Sequence, residues 1–63
     1  FRRSLYFVKD IKAGELITSE HIKSIRPGYG LEPKYMEEIL GKKITSSIKR
    51  GTPVTFDLTG HKP

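Results

Sequence analysis

The segment Arg26-Pro27-Gly28-Tyr29-Gly30 carries most of the chemistry this sequence offers. A proline beside the arginine stiffens the backbone, and the two glycines shape the loop that follows. Held that way, a guanidinium presents a fixed fork of donors suited to a carboxylate, a phosphate or sugar oxygens. The plainer reading is a surface arginine next to a structural turn. Tyr29 either stacks on a partner or covers the core, and the sequence leaves both open.

The other reactive residue types are sparse. His21 and His61 lack neighbouring ligands at metal spacing, so both read as structural or solvated. Glu37 and Glu38 are adjacent, which points them in different directions from a helix and argues against an acid/base pair. Gly28-Tyr29-Gly30 is only a fragment of a glycine-rich loop, with no Lys-Ser/Thr beside it and no Walker or His-Glu-x-x-His motif elsewhere. Lys42, Lys43, Lys49 and Arg50 can form a basic patch if segment 44–48 folds back. Without good aromatic interleaving, a nucleic-acid partner is disfavoured.

These residues must be positioned by a single small domain of 63 residues. A chain of that size buries only about 60% of its unfolded surface, leaving little room for a private cleft. A binding module, or a piece of something larger, follows. Hydrophobic residues make up 35% and charged residues 30%, spread along the whole length, which argues for a folded chain. There is no cysteine, so there is no disulfide or thiolate chemistry, a weak lean towards the cytoplasm. No apolar run approaches the ~20 residues of a membrane helix, and the stretch from Phe1 to Lys9 is too short and polar for a signal peptide. The net charge of +5 suits an acidic or phosphate-bearing partner.

An internal echo organises the chain. Ile11-Lys12-Ala13-Gly14-Glu15-Leu16-Ile17-Thr18 reads against Ile48-Lys49-Arg50-Gly51-Thr52-Pro53-Val54-Thr55. Each copy is an apolar piece, a Lys-x-Gly turn and another apolar piece, which predicts two loops related by a pseudo-twofold. Leu5 to Val8 reads as a strand. Thr18 or Ser19 caps a single helical turn through Glu20 and His21, with Ile22 turned inward. Pro27 biases Arg26 to extended geometry. A short helix is expected near 33–40, with Pro33 in its first turn, Met36, Ile39 and Leu40 on one face, and Gly41 as a left-handed cap. Ile44 to Ile48 reads as another strand, and Pro53 marks an edge. Phe56 and Leu58 offer late core contacts. Gly14, Pro27, Gly28, Gly41 and Gly51 are the expected structural turns. The fold class is a compact, irregular, mostly β module.

Five blocks, taken in order, resemble a known family: Arg2-Arg3-Ser4-Leu5-Tyr6, Asp10-Ile11-Lys12-Ala13-Gly14-Glu15, Ile25-Arg26-Pro27-Gly28, Leu40-Gly41-Lys42-Lys43 and Ile48-Lys49-Arg50-Gly51. Together, over about residues 2–58, they are similar to the C-terminal antifreeze-like (SAF) domain of bacterial sialic acid and other nonulosonic acid synthases, including spore-coat polysaccharide homologues. The resemblance implies a β-clip fold like that of type III antifreeze protein, in agreement with the echo. It implies a junction at 1–3 to an N-terminal catalytic barrel, the SAF domain over 4–59 and a tail at 60–63; a first residue of Phe1 fits an incomplete chain. It also implies a cytoplasmic enzyme that condenses phosphoenolpyruvate with an N-acetylated amino sugar and releases phosphate. A divalent metal, Mn or Mg, belongs to that barrel and no cofactor to this domain, which is not catalytic alone. In the domain-swapped homodimers of this family the antifreeze-like domain caps the partner's barrel. The arginine matching Arg26 contacts the amino sugar there, with Tyr29 and Gly30 as secondary candidates on the same segment. Lys12, Glu15, Glu20 and Lys23 around the first loop are too charged for ice binding. Two alternatives remain: an independent carbohydrate- or protein-binding module, and a weak basic nucleic-acid binder.

Overall fold

A computed structural model describes residues 2–59. Phe1 and the tail 60–63, with His61, lie outside the described residues. Strand β1, Ser4–Phe7, pairs antiparallel with β2, Ile22–Ile25, with Ser4 opposite Ile25 and Phe7 opposite Ile22. The Leu-Tyr-Phe run of β1 is rich in residues that fill a pleated surface. All four β1 residues are buried. On its other edge β1 meets segment 52–54, through Phe7 N–H to Thr52 O at 2.9 Å and Val54 N–H to Leu5 O at 2.9 Å. Pro53 sits between those two bonds, opposite Tyr6, where its missing N–H deprives the ladder of nothing.

The echo is a structural pseudo-twofold centred on Ile11 and Ile48. These two residues exchange both backbone hydrogen bonds, at 2.9 and 2.8 Å. Around them the main backbone contacts of one copy recur in the other. Glu15 N–H closes a turn on Lys12 O at 3.0 Å, and Thr52 N–H closes one on Lys49 O at 3.3 Å. Gly14 and Gly51 occupy those turns with the same φ of 91°, a left-handed conformation that glycine adopts without a Cβ penalty. Asp10 Oδ1 accepts from Arg50 N–H at 2.9 Å, and Ser47 Oγ accepts from Ala13 N–H at 3.5 Å. Leu16 bridges Lys43 as Tyr6 bridges Pro53. Ile17 and Val54, the matching apolar positions, are both buried. The core is thus nearly all aliphatic: six isoleucines, Leu5, Val54 and Phe7.

Two local expectations need correction. Segment 44–48 is not a continuous strand: only Lys43 and Ile48 make bridges, with a bend at Thr45 and Ser46 between them. Thr45 turns aside because its N–H and its Oγ1 both donate to Leu58 O, each at 3.1 Å. Short hydroxyl side chains offer the backbone such alternatives to a ladder. Residues 19–21 form a turn rather than a helical one, because Ile22 already begins β2. There the histidine does the capping: Thr18 N–H donates to His21 Nδ1 at 2.9 Å.

The expected helix is present in two pieces. A 3-10 turn over Pro33–Tyr35 runs into α1, Met36–Ile39, and Leu40 N–H closes on Met36 O at 3.1 Å. Ile39 is buried, Met36 and Leu40 pack against the core, and Glu37 and Glu38 are exposed. Gly41 has φ 85°, and its N–H donates to Ile17 O at 2.8 Å, which ties the helix end to the first copy of the echo. A final 3-10 turn, Phe56–Thr59, brings Phe56 and Leu58 onto the core. Phe56 also meets Tyr35 edge-on, with ring centroids 5.3 Å apart.

Candidate functional site

The loop 26–30 is fastened from beneath by a residue the sequence did not single out. Ser4 is fully buried at the start of β1. Its Oγ donates to Pro27 O at 3.0 Å and accepts from Gly30 N–H at 2.9 Å. A buried hydroxyl satisfied in both roles links β1 to the loop at two points. Gly30 lies so close to β1 that a Cβ there would stand 2.2 Å from Leu5 O and 3.0 Å from Val54 N. Beyond it, Leu31 O accepts from Leu5 N–H at 2.8 Å and Leu31 N–H donates to Val54 O at 2.9 Å. The loop therefore leaves and re-enters the fold against the central strand.

Two arginines brace the same region from outside. Arg2 donates to Gly28 O at 3.3 Å, and Arg3 donates to Ser24 O at 3.1 Å. Gly28 is hemmed in by Arg2, and a Cβ there would stand 3.1 Å from Arg2 O. The Arg26–Pro27 peptide is cis. Arg26 and Pro27 are exposed, and Tyr29 is 78% exposed. This settles the position left open for Tyr29: it does not cover the core. Gly30 lies at the base of the loop, its N–H engaged by Ser4.

Ile25, immediately before Arg26, is partly exposed. It joins Phe7, Val8, Arg50 and Gly51 around an open depression of about 250 Å³. Ligand cavities usually start at roughly 300 Å³, so this surface is too small and open to enclose a substrate alone.

The remaining candidates fall elsewhere. Arg50 sits beside Asp10 and Lys43 beside Leu16, on opposite halves of the pseudo-twofold pairing. The four basic residues thus bracket the Ile11–Ile48 centre rather than sharing one turn. Tyr35 is committed to Phe56, with Lys34 Nζ 5.3 Å above its ring and 3.9 Å from Glu32. Among the described residues no three His, Asp or Glu come together to hold a metal. No helix of the described residues is long and apolar enough to cross a membrane.

Ser4 predicts its own test. In Ser4→Ala the Gly30 N–H loses its acceptor and the Pro27 C=O its donor, a loss of about 1–3 kcal/mol. Melting should fall by roughly 4–24 °C at the 4–8 °C per kcal/mol typical of this size. Amide exchange at Gly30 should accelerate relative to Ile48, whose bond to Ile11 is untouched.

Comparison with known proteins converges on this geometry. The SAF domain profile matches residues 2–58. The chain belongs to the SAF domain family. A pseudaminic acid synthase of Campylobacter jejuni serotype O:2 is 55% identical over 51 residues, 81% of this chain and 15% of that protein. The pseudaminic acid synthase of Helicobacter pylori is 47% identical over 57 residues, 90% of this chain and 17% of that protein. In structure, the spore coat polysaccharide biosynthesis protein spsE of Bacillus subtilis superposes with a TM-score of 0.82 at 26% identity, over 97% of this chain and 18% of the other. This is a SAF domain of the nonulosonic acid synthase kind, with the small mostly-β fold expected of it. The SAF domain spans only 15–17% of the length of these curated relatives.

Proposed function

We propose that this SAF domain caps the active site of a phosphoenolpyruvate-dependent nonulosonic acid synthase and presents Arg26 to the amino-sugar substrate. The observation that carries the reading is the loop 26–30, locked at its base by Ser4 and Gly30 with Arg26 exposed above. A guanidinium on a fixed backbone loses little freedom when it grips a ligand. The open depression beside Ile25 supplies apolar contact to a catalytic barrel, whose mouth needs covering. In a domain-swapped cytoplasmic homodimer that barrel belongs to the partner subunit. Closing it excludes water and strengthens each polar contact inside. The net charge of +5 favours an anionic cosubstrate and product.

A divalent metal, where the reaction uses one, falls to the barrel in this reading; among the described residues no three His, Asp or Glu come together. The domain's own contribution is to orient the sugar and shield it. The 55% and 47% identical relatives favour pseudaminic acid as the product. The test is phosphate release by the complete synthase. Release should require phosphoenolpyruvate and an N-acetylated amino sugar together, one phosphate per nonulosonic acid formed. No release with any such sugar would sink the reading.

A further inference from the structure

We infer that Arg50 and the apolar depression beside it form a docking point for a protein segment that carries an aliphatic side chain next to a carboxylate. The inference rests on the capping reading, which puts that segment on the partner's barrel, and it names the chemistry of the contact.

The pseudo-twofold separates what the fold needs at position 50 from what it does not. Arg50 and Ala13 are the matched middle residues of the two Lys-x-Gly turns. Each turn uses only the backbone there. Arg50 N–H donates to Asp10 Oδ1 at 2.9 Å, and Ala13 N–H donates to Ser47 Oγ at 3.5 Å. Gly51 and Gly14 follow with the same φ of 91°. A methyl group serves the first turn, so the second turn does not call for a guanidinium. Among the described residues the Arg50 side chain makes no hydrogen bond or ion pair.

The surroundings of the two turns differ in the same sense. Phe7, Val8, Ile25 and Gly51 line the open depression with Arg50, and Ile25 is 38% exposed. In the other half Thr45 stands where Val8 stands, and its N–H and hydroxyl both donate to Leu58 O. Only the Arg50 half thus pairs a long cation with an outward aliphatic wall. Lys9, Lys23 and Lys49 are exposed along the same segments, against Asp10 and Glu20. The excess of cations selects an acidic partner. A free anion or a nucleic-acid backbone would use the guanidinium and leave the aliphatic wall idle. A protein segment uses both: its aliphatic group enters the depression, and its carboxylate takes two parallel bonds from Arg50. Arginine beside an apolar pocket is also the make-up of residues that dominate protein interfaces. Ile25 directly precedes Arg26, so the depression adjoins the loop that the capping reading turns towards the barrel.

The test is subunit exchange in the complete synthase, followed by mixing dimers that carry two different fluorophores. Each dissociation breaks this contact twice. Arg50→Ala should speed exchange by roughly tenfold or more. Added salt should speed the wild type more than Arg50→Ala. Arg50→Lys should fall between them. Arg50→Ala combined with Ala13→Arg restores the net charge on the matched turn and should exchange as fast as Arg50→Ala alone. An exchange rate unchanged by Arg50→Ala overturns the inference. So does a wild-type rate restored by Ala13→Arg, which would reduce Arg50 to net charge, and so does a monomeric wild type. If Arg50→Ala does not fold, Arg50→Gln supplies the rate, and an unchanged value there overturns the inference equally. A synthase that exchanges as expected but releases phosphate with no amino sugar overturns the capping reading instead, a separate outcome.

Discussion

Gly30→Ala should lower the melting temperature of this SAF domain by more than about 10 °C. The added Cβ would stand 2.2 Å from Leu5 O, far inside contact distance, with Val54 N and O behind it at 3.0 and 3.3 Å. All three obstacles are backbone atoms, so no side chain can rotate away. Nor can the strands separate freely: Leu5, Leu31 and Val54 are joined in a closed set of backbone bonds of 2.8 to 2.9 Å. Relief requires lifting the loop, which breaks the Gly30 bond to Ser4 as well. Overpacking of this kind costs about 1–3 kcal/mol, and an abandoned buried hydrogen bond adds about 1–3. A folded domain has roughly 0.05–0.15 kcal/mol per residue in total, so a chain this short has little to spare. Gly14→Ala is the informative control. Nothing lies within 4 Å of its added Cβ, and only its φ of 91° is unfavourable, a strain of about 1–2 kcal/mol. Gly30 has no such backbone angle, so its effect isolates the close approach. A Gly30→Ala melting temperature within about 3 °C of the parent value would contradict this packing.

What the sequence disclosed follows the range over which each interaction acts. The Lys-x-Gly turns at Gly14 and Gly51 were legible because a left-handed glycine two residues after a turn's first carbonyl is local chemistry. The echo predicted two similar loops, and the pairing of Ile11 with Ile48 is what the structure adds. Pro53 was placed at an edge for want of an N–H, and it sits at one. The strand expected over 44–48 failed because Leu58 O, far along the chain, diverts Thr45. The helix near 33–40 appeared, tightened into a 3-10 turn where Pro33 begins it.

At the site the same division holds. Arg26 and its prolyl–glycyl context stood out from residue types alone. Ser4 did not, because its partners Pro27 and Gly30 lie on a loop remote in sequence. The available signal was a small hydroxyl residue opening an otherwise apolar strand, beside Leu5-Tyr6-Phe7. Arg2 and Arg3 read as a solvated junction, and the structure adds a hydrogen bond from each to the loop or to β2.

Arg26→Ala in the complete synthase is the second large effect and bears on the central claim. Arg26 is exposed, so its removal opens no cavity in the core. An unchanged melting temperature in Arg26→Ala would assign any loss of activity to the ligand rather than to the fold. A hydrogen bond to a charged group contributes about 1.5–3 kcal/mol, equivalent to roughly 10- to 150-fold in kcat/KM. Arg26→Lys should recover only part of it, since an ammonium keeps the charge and loses the planar fork. The measurement to make is kcat/KM for the amino sugar in wild type and Arg26→Ala, with oligomeric state checked in both. The account predicts a loss of about tenfold or more without dissociation or unfolding. An active wild type whose kcat/KM is unchanged by Arg26→Ala would contradict it, leaving the domain to shield or assemble the enzyme without touching its substrate.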